Sequence, residues 1–181
     1  KEWDCQADST ENVGMQVCRP INEKDWGILL EDLYVKLDII NRLESILDIG
    51  CGNAFLLSKF KKYFKECYGI DYSFNMIERA KIYFSEGIFD QCEACDINFE
   101  DNKFDRVFAY SIVHYFSDEQ YLLRVIDEMI RVCKKGGIVI IGDILDKNFE
   151  DTIKKGSDLE YEKQIPSIQR YSEWYFCDLE K

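Results

Sequence analysis

Two acidic residues and two glycines are spaced as in a nucleotide-binding site. Asp48 lies in an apolar stretch, Ser45–Ile49, that predicts a buried strand, and Gly50 and Gly52 follow it directly. Asp71 ends the next predicted strand. Glycines let the backbone approach a ligand closely, and the N-terminus of the following helix offers unpaired N–H groups. A carboxylate at the end of the second strand can then accept hydrogen bonds from both ribose hydroxyls of a nucleotide.

The positions of the small residues argue against a dinucleotide such as NAD. The dinucleotide fingerprint G-x-G-x-x-G/A requires Gly or Ala at position 55, but that residue is Phe55 and the small residue is Ala54. The run Asp48-Ile49-Gly50-Cys51-Gly52-Asn53-Ala54 instead resembles the first motif of the class I S-adenosylmethionine-dependent methyltransferases, (D/E)-x-G-x-G-x-G, with Ala54 in place of the third glycine. An NAD-dependent α/β enzyme remains as a less favoured alternative.

Further segments resemble the later motifs of this family, in the family's order and spacing, from Asp48 to about Asp143. They are Tyr68–Ser73, Ala94–Ile97, Phe104–Ser111 and Val132–Gly137, and Gln16–Pro20 resembles a segment that caps the cofactor pocket in some small-molecule members. The resemblance implies that S-adenosylmethionine is bound, and S-adenosylhomocysteine released, by Asp48, Gly50, Gly52, Asp71, Tyr72, Met76, Asp96, Ile97, Tyr110 and Ser111.

Several of these residues also have a purely structural explanation. Asp48 could cap the glycine turn, and Asp71 could be an ordinary acidic residue at the start of a helix. Asp96 could belong to a simple turn, and Met76 lies on the inward stripe of its predicted helix. The implied roles are ribose binding for Asp71, adenine packing for Met76 and acceptance of the adenine amino group for Asp96.

Length and alternating patterns predict one α/β domain over residues 1–181 with a mostly parallel sheet, and the family resemblance implies a Rossmann-like three-layer sandwich with the strand order 3-2-1-4-5. Its parts are a cap segment and helix (1–44), a cofactor-binding core (45–145) and an incomplete C-terminal part (146–181), with the family's terminal strand hairpin absent or truncated. The predicted strands are 46–49, 66–70, 89–95, 104–110 and 138–141. The predicted helices begin near Asn22, Asn53 (to Lys65), Ser73, Ser117 (as a capping box with Gln120) and Ser172.

Charge and composition narrow the range of partners. The net charge of −12 disfavours nucleic acid as a partner, and the lysines at 59, 61, 62 and 65 are read as a solvated helix face. No apolar run has membrane-spanning length and no leader is visible, so the expected location is the cytoplasm. Eight cysteines and one histidine, with Cys92-x-x-Cys95 as the only close cysteine pair, predict reduced thiols and no metal site.

The resemblance implies methyl transfer to a small-molecule hydroxyl or amine. The sulfonium of the donor activates its own methyl group, so the chain chiefly has to align the acceptor and exclude water. No catalytic residue is assigned, because His114 can equally be a packing residue and Asp143 is only a second candidate base. A module that binds the cofactor without turnover is the main alternative, and the sequence does not define the oligomeric state.

Overall fold

The computed structural model describes residues 2–17, 23–41, 43–156 and 173–179, and the fold is built around a parallel sheet. Its five strands are β1 (Leu43–Ile49), β2 (Phe64–Asp71), β3 (Ile88–Gln91), β4 (Phe104–Tyr110) and β5 (Cys133–Gly142). Their spatial order is β3-β2-β1-β4-β5, which confirms the predicted order. Ile49 pairs with Ile70 on one side and Ala109 on the other, so β1, β2 and β4 end at the same edge of the sheet.

Helices cover the sheet on both faces. They are α1 (Glu2–Asp8), α2 (Val13–Gln16), α3 (Glu23–Lys36), α4 (Phe55–Ser58), α5 (Phe74–Tyr83), α6 (Glu119–Val132) and α7 (Glu150–Lys155). Successive residues of β1 point to opposite faces: Ile46 packs in a cluster with Leu33 and Phe108, and Leu47 packs in a second cluster with Met129. Burial on both faces explains why both of these neighbouring residues are apolar. None of these helices combines the length and apolar character that crossing a bilayer requires.

The predicted helix over residues 53–65 was wrong in length. Only α4 and a single 3₁₀ turn, Lys61–Tyr63, are helical there. The reason is that Phe64 already belongs to β2, where it pairs with Leu43 and is fully buried. Burial of this ring in the sheet core therefore outweighs the helical pattern of the sequence.

The N-terminus of α6 also differs from the predicted capping box. Asp118, not Ser117, is the capping residue, and its Oδ1 accepts from the Tyr121 N–H at 2.8 Å. Ser117 Oγ instead donates to the Asp118 carboxylate at 2.9 Å. A carboxylate is the stronger acceptor at the positive end of a helix, which explains the shift by one residue.

The C-terminal segment 173–179 is not the start of a helix, contrary to the prediction. It runs extended beside the chain that follows β5, and Cys177 forms an isolated parallel bridge with Asp146. The Cys177 N–H donates to the Leu145 carbonyl at 2.8 Å, and the Lys147 N–H donates to the Cys177 carbonyl at 2.8 Å. These long-range hydrogen bonds replace the local ones that a helix would have formed.

β3 is also shorter than predicted and ends at Gln91.

Candidate functional site

The turn after β1 has left-handed backbone at three alternate residues. The φ angles are 72° at Gly50, 52° at Gly52 and 62° at Ala54. A Cβ at Gly50 would lie 2.5 Å from Ile112 Cγ2, and a Cβ at Gly52 would lie 2.8 Å from Val17 Cγ1. Neither glycine has room for a side chain. Ala54 has the same left-handed conformation, which strains an alanine but would not strain a third glycine at this position.

Asp71 is held next to this turn by two backbone N–H groups. Its Oδ2 accepts from Gly52 N at 2.9 Å, and its Oδ1 accepts from Ser73 N at 2.9 Å. Burial raises the pKa of Asp71 to about 6, although both hydrogen bonds lower it. Each oxygen keeps a further lone pair, so the carboxylate is oriented to accept additional hydrogen bonds from hydroxyl groups.

Asp48 provides a second buried carboxyl group near the turn. Burial, and then the charge of Asp71, raise the pKa of Asp48 well above its ordinary value. Two buried carboxyl groups favour ligands that are cationic or that donate hydrogen bonds, and they disfavour anions. The structure thus brings Asp48, Gly50, Gly52 and Asp71 together, as the sequence predicted.

The two predicted adenine contacts differ in exposure. Met76 is fully buried at the start of α5 and Ile97 is buried, whereas Asp96 is exposed. The loop that carries Asp96 and Ile97 is fixed by α6, since Ile97 N–H donates to Glu128 Oε2 at 2.8 Å and Arg131 Nη2 donates to the Ile97 carbonyl at 2.8 Å. Sequence reasoning missed Glu128 and Arg131, although their i, i+3 spacing on a helix is a visible ion-pair signal.

Tyr110 and Ser111 lie at the end of β4, beside the end of β5. A Cβ at Gly142 would lie 2.4 Å from Tyr110 Cδ2, so the Tyr110 ring fills the space beside this glycine. Ser111 Oγ donates a hydrogen bond to the carboxylate of Asp143, and both residues have left-handed backbone, with φ angles of 63° and 60°. Such strain in residues other than glycine concentrates at functional sites. Tyr72, at the end of β2, keeps 42% of its surface exposed.

His114 is buried and packs against two aromatic rings. Its ring lies 4.2 Å from the Tyr115 ring and 4.4 Å from the Trp174 ring, measured between centroids. This geometry agrees with the structural explanation that the sequence offered beside the base role. Cys92 and Cys95 gain no further ligands, because the described ranges contain no group of three or more His, Cys, Asp or Glu side chains placed to hold a metal ion.

The N-terminal segment is attached to both loops of the site. Asn53 Nδ2 in the glycine turn donates to the Val13 carbonyl at 2.8 Å and to Gln16 Oε1 at 2.9 Å. Ser73 Oγ, at the start of α5, donates to Asp4 Oδ1 at 2.7 Å. Gln16 and Val17 therefore lie where the sequence placed the cap, whereas Cys18–Pro20 fall outside the described residues. The role of Asp4 was not foreseen.

Comparison with protein-family models identifies the family of this chain. A family model described as a methyltransferase domain matches residues 47–141, from β1 through the glycine turn to β5. The chain belongs to this methyltransferase family. Its members use S-adenosylmethionine as the methyl donor, so the resemblance of the motifs is confirmed.

Individual relatives agree with this family. The chain is 32% identical over 126 residues to the probable methyltransferase ltbC of Aspergillus luteorubrus. The aligned region is 62% of this chain and 44% of the relative. The chain is 33% identical over 125 residues to the uncharacterized methyltransferase YcgJ of Bacillus subtilis, covering 66% and 46%. The chain thus spans about half the length of the curated relatives it matches.

Solved structures show the same fold. The PH0226 protein of Pyrococcus horikoshii superposes with a TM-score of 0.65 at 27% identity, over 77% of this chain and 66% of that one. A putative S-adenosyl-L-methionine-dependent methyltransferase of Methanococcus maripaludis superposes with a TM-score of 0.64 at 22% identity, over 92% and 74%. The second likeness supports the fold alone.

Proposed function

We propose that this chain binds S-adenosylmethionine at the carboxyl edge of the sheet and transfers its methyl group to a small-molecule hydroxyl or amine. The observation that carries the proposal is the Asp71 carboxylate, which two N–H groups orient beside a turn without room for side chains. A ribose with two hydroxyl donors fits such an acceptor.

The remaining cofactor contacts follow from the same geometry. We assign Met76 and Ile97 to the apolar sides of the adenine and Asp96 to its amino group, and we assign Tyr72 to the mouth of the pocket. Asp48 lies under the turn, where a buried carboxyl group favours the cationic methionine portion. Tyr110 and Ser111 close the pocket at the end of β4.

The chain's contribution to chemistry is then mainly positioning. Methyl transfer from a sulfonium needs an in-line acceptor and a site from which water is excluded, not a catalytic triad. The N-terminal segment that covers the glycine turn supplies part of this exclusion, through its hydrogen bonds to Asn53 and Ser73.

The names of the relatives leave several acceptors open. A phosphatidylethanolamine N-methyltransferase of Cereibacter sphaeroides is 32% identical over 102 residues, and a probable tRNA methyltransferase 9B of Homo sapiens is 33% identical over 98 residues. The net charge of −12 argues against a nucleic-acid acceptor for this chain, because polyanion binding requires a basic face. We therefore keep a small molecule as the proposed acceptor.

Calorimetric titration with S-adenosylmethionine, S-adenosylhomocysteine and NAD tests the proposal. We expect micromolar binding of both adenosyl ligands and no binding of NAD. Binding of NAD alone would favour the alternative of an NAD-dependent enzyme, and binding of none of the three ligands would refute the site. A screen of hydroxyl and amine acceptors for S-adenosylhomocysteine release then separates an enzyme from a module that only binds the cofactor.

A further inference from the structure

Three aromatic rings from distant parts of the chain meet beside His114. Trp3 of α1 contacts Tyr115 edge-to-face at 5.3 Å, and Tyr115 contacts Trp174 edge-to-face at 6.1 Å, between ring centroids. We call Trp3, Tyr115 and Trp174 the aromatic cluster. All three rings are partly exposed, so the cluster lines a surface instead of filling the core. Each edge-to-face contact covers only one face of one ring, so the partly exposed cluster still presents aromatic surface to a ligand.

The aromatic cluster lies on the side of the site from which an acceptor must approach. Tyr115 follows closely after Ser111 at the end of β4. The segment 173–179, which carries Trp174, bridges the loops that follow β4 and β5, because Tyr175 N–H donates to the His114 carbonyl at 2.9 Å while Cys177 N–H donates to the Leu145 carbonyl at 2.8 Å. These two loops also carry the Ser111–Asp143 hydrogen bond. The aromatic cluster and Asp143 therefore border the same end of the sheet.

The segments that build this region carry only negative charge apart from the single His114, and the Lys154 ammonium lies 5.3 Å from the ring centroid of Phe176 in the last of them. They contain nine Asp or Glu residues and no Lys or Arg, and they are 2–8, 111–119, 143–146 and 173–179. Burial raises the pKa of Tyr175, and the carboxylate of Glu119 contributes to this shift. Negative charge thus reaches the segment that carries Trp174. Such a region repels phosphate and attracts cations.

We propose that the aromatic cluster and Asp143 bind the methyl acceptor as an organic ammonium, so that the methyl group is transferred to an amine nitrogen and not to a hydroxyl. The inference rests on the proposed function and narrows its acceptor class. An ammonium group gains both from aromatic faces and from a carboxylate, whereas a neutral alcohol gains little from either.

The chemical step balances with the groups at this edge. The acceptor nitrogen attacks as the neutral amine, so its proton first leaves to the Asp143 carboxylate and then to water. The nitrogen lone pair forms the N–CH₃ bond while the S–CH₃ bond of the donor breaks, and the electron pair of that bond stays on sulfur. The product nitrogen is again cationic, and the sulfur becomes an uncharged thioether.

A pair of probes of equal shape tests cation recognition without turnover. Choline and its uncharged carbon isostere dimethylbutanol are titrated by calorimetry into the chain saturated with S-adenosylhomocysteine. We expect choline to bind about tenfold more tightly, because a cation over aromatic faces gains about 1.4 kcal/mol, which corresponds to that ratio. Equal binding of the two probes, or no choline binding, would overturn the inference.

Variants assign the preference to the named residues. Trp174→Leu and Asp143→Asn should each remove most of the preference for choline, whereas Tyr115→Phe, which keeps the ring face, should retain it. Tyr34→Leu is a matched control, since Tyr34 packs on Tyr63 in another aromatic pair, at 4.9 Å. Thermal unfolding checks that each variant is folded. A preference that survives both Trp174→Leu and Asp143→Asn would overturn the assignment.

Binding of S-adenosylhomocysteine in the same samples distinguishes failure of the ammonium site from failure of the proposed function. Tight binding without any preference for choline refutes the ammonium site and leaves the proposed function standing. Absence of cofactor binding refutes both. In the acceptor screen, methylation of primary or secondary amines supports the ammonium site, and methylation of alcohols alone contradicts it.

Discussion

Replacement of Asp71 by Asn should stabilise the protein while weakening its cofactor site. Burial raises the pKa of Asp71 from 3.8 to about 6, so the ionised form costs the folded state about 3 kcal/mol at neutral pH. Asn keeps the shape without the charge. It keeps only one acceptor oxygen, and the loss of one hydrogen bond, to Gly52 or Ser73, costs about 1 kcal/mol. The net expectation for Asp71→Asn is a gain of about 2 kcal/mol in the free energy of unfolding.

The pH dependence of this gain identifies its cause. Between pH 3.8 and about 6 the folded protein binds more protons at Asp71 than the unfolded chain does, so wild-type stability falls as the pH rises through this range. The Asn variant lacks this loss. Its advantage should therefore be absent near pH 4, where only the lost hydrogen bond counts, and complete above pH 6. Urea denaturation of both proteins at several pH values measures the difference, and other titrating groups cancel except those that interact with the Asp71 charge, which are Asp48, Asp4 and Glu93. A difference that does not change with pH would refute the reasoning.

Cofactor affinity should change in the opposite direction. Hydrogen bonds from ribose hydroxyls to a carboxylate are worth about 1.5–3 kcal/mol, so Asp71→Asn should weaken S-adenosylhomocysteine binding by about ten- to a hundredfold. The exposed Asp127 on α6 offers a matched control, since Asp127→Asn removes the same charge away from the site. Wild-type affinity in Asp71→Asn would show that the ribose does not bind there, whatever the stability data show.

Two further predictions concern the residues around the cofactor. Gly52→Ala forces a left-handed alanine and places its Cβ 2.8 Å from Val17 Cγ1, so calorimetry should show S-adenosylhomocysteine binding weakened by about tenfold or more. Adding Val17→Ala should restore part of the affinity, and unchanged affinity in Gly52→Ala would contradict the geometry. Arg131→Met removes the donor to the Ile97 carbonyl and the cationic partner of Glu128, so we expect a loss of about 1–3 kcal/mol in the free energy of unfolding by urea and weaker cofactor binding. Unchanged cofactor binding would show that this loop does not contribute to the adenine site.

Local patterns were sufficient to predict the sheet and its functional edge. The apolar run Ile138–Ile141 marked β5, and the glycine spacing after β1 identified the turn. Asp71 was found because a strand end followed by a helix start is visible in the sequence. These features depend on residues that are neighbours along the chain, so one sequence can show them.

The missed features depend on contacts between distant residues. Asp4 accepts the hydrogen bond of Ser73 although the two residues are 69 positions apart in the sequence, and no local pattern marks a surface aspartate for that contact. The helix expected over 53–65 failed because Phe64 is needed in β2. The extended segment 173–179 was read as a helix because its pairing with the chain after β5 is likewise non-local.

The negative charge of this protein has a specific electrostatic consequence at the carboxyl edge of the sheet. Under the proposed function, Asp48 and Asp71 lie beside a cationic sulfonium donor, and Asp143 lies beside a cationic amine. Methyl transfer moves the positive charge from sulfur to nitrogen, so the donor side loses its electrostatic attraction to the site once the reaction is complete. The same carboxylates that draw both substrates together therefore hold the uncharged thioether product less tightly than the donor. A chain with a net charge of −12 is suited to that exchange and poorly suited to a polyanionic acceptor.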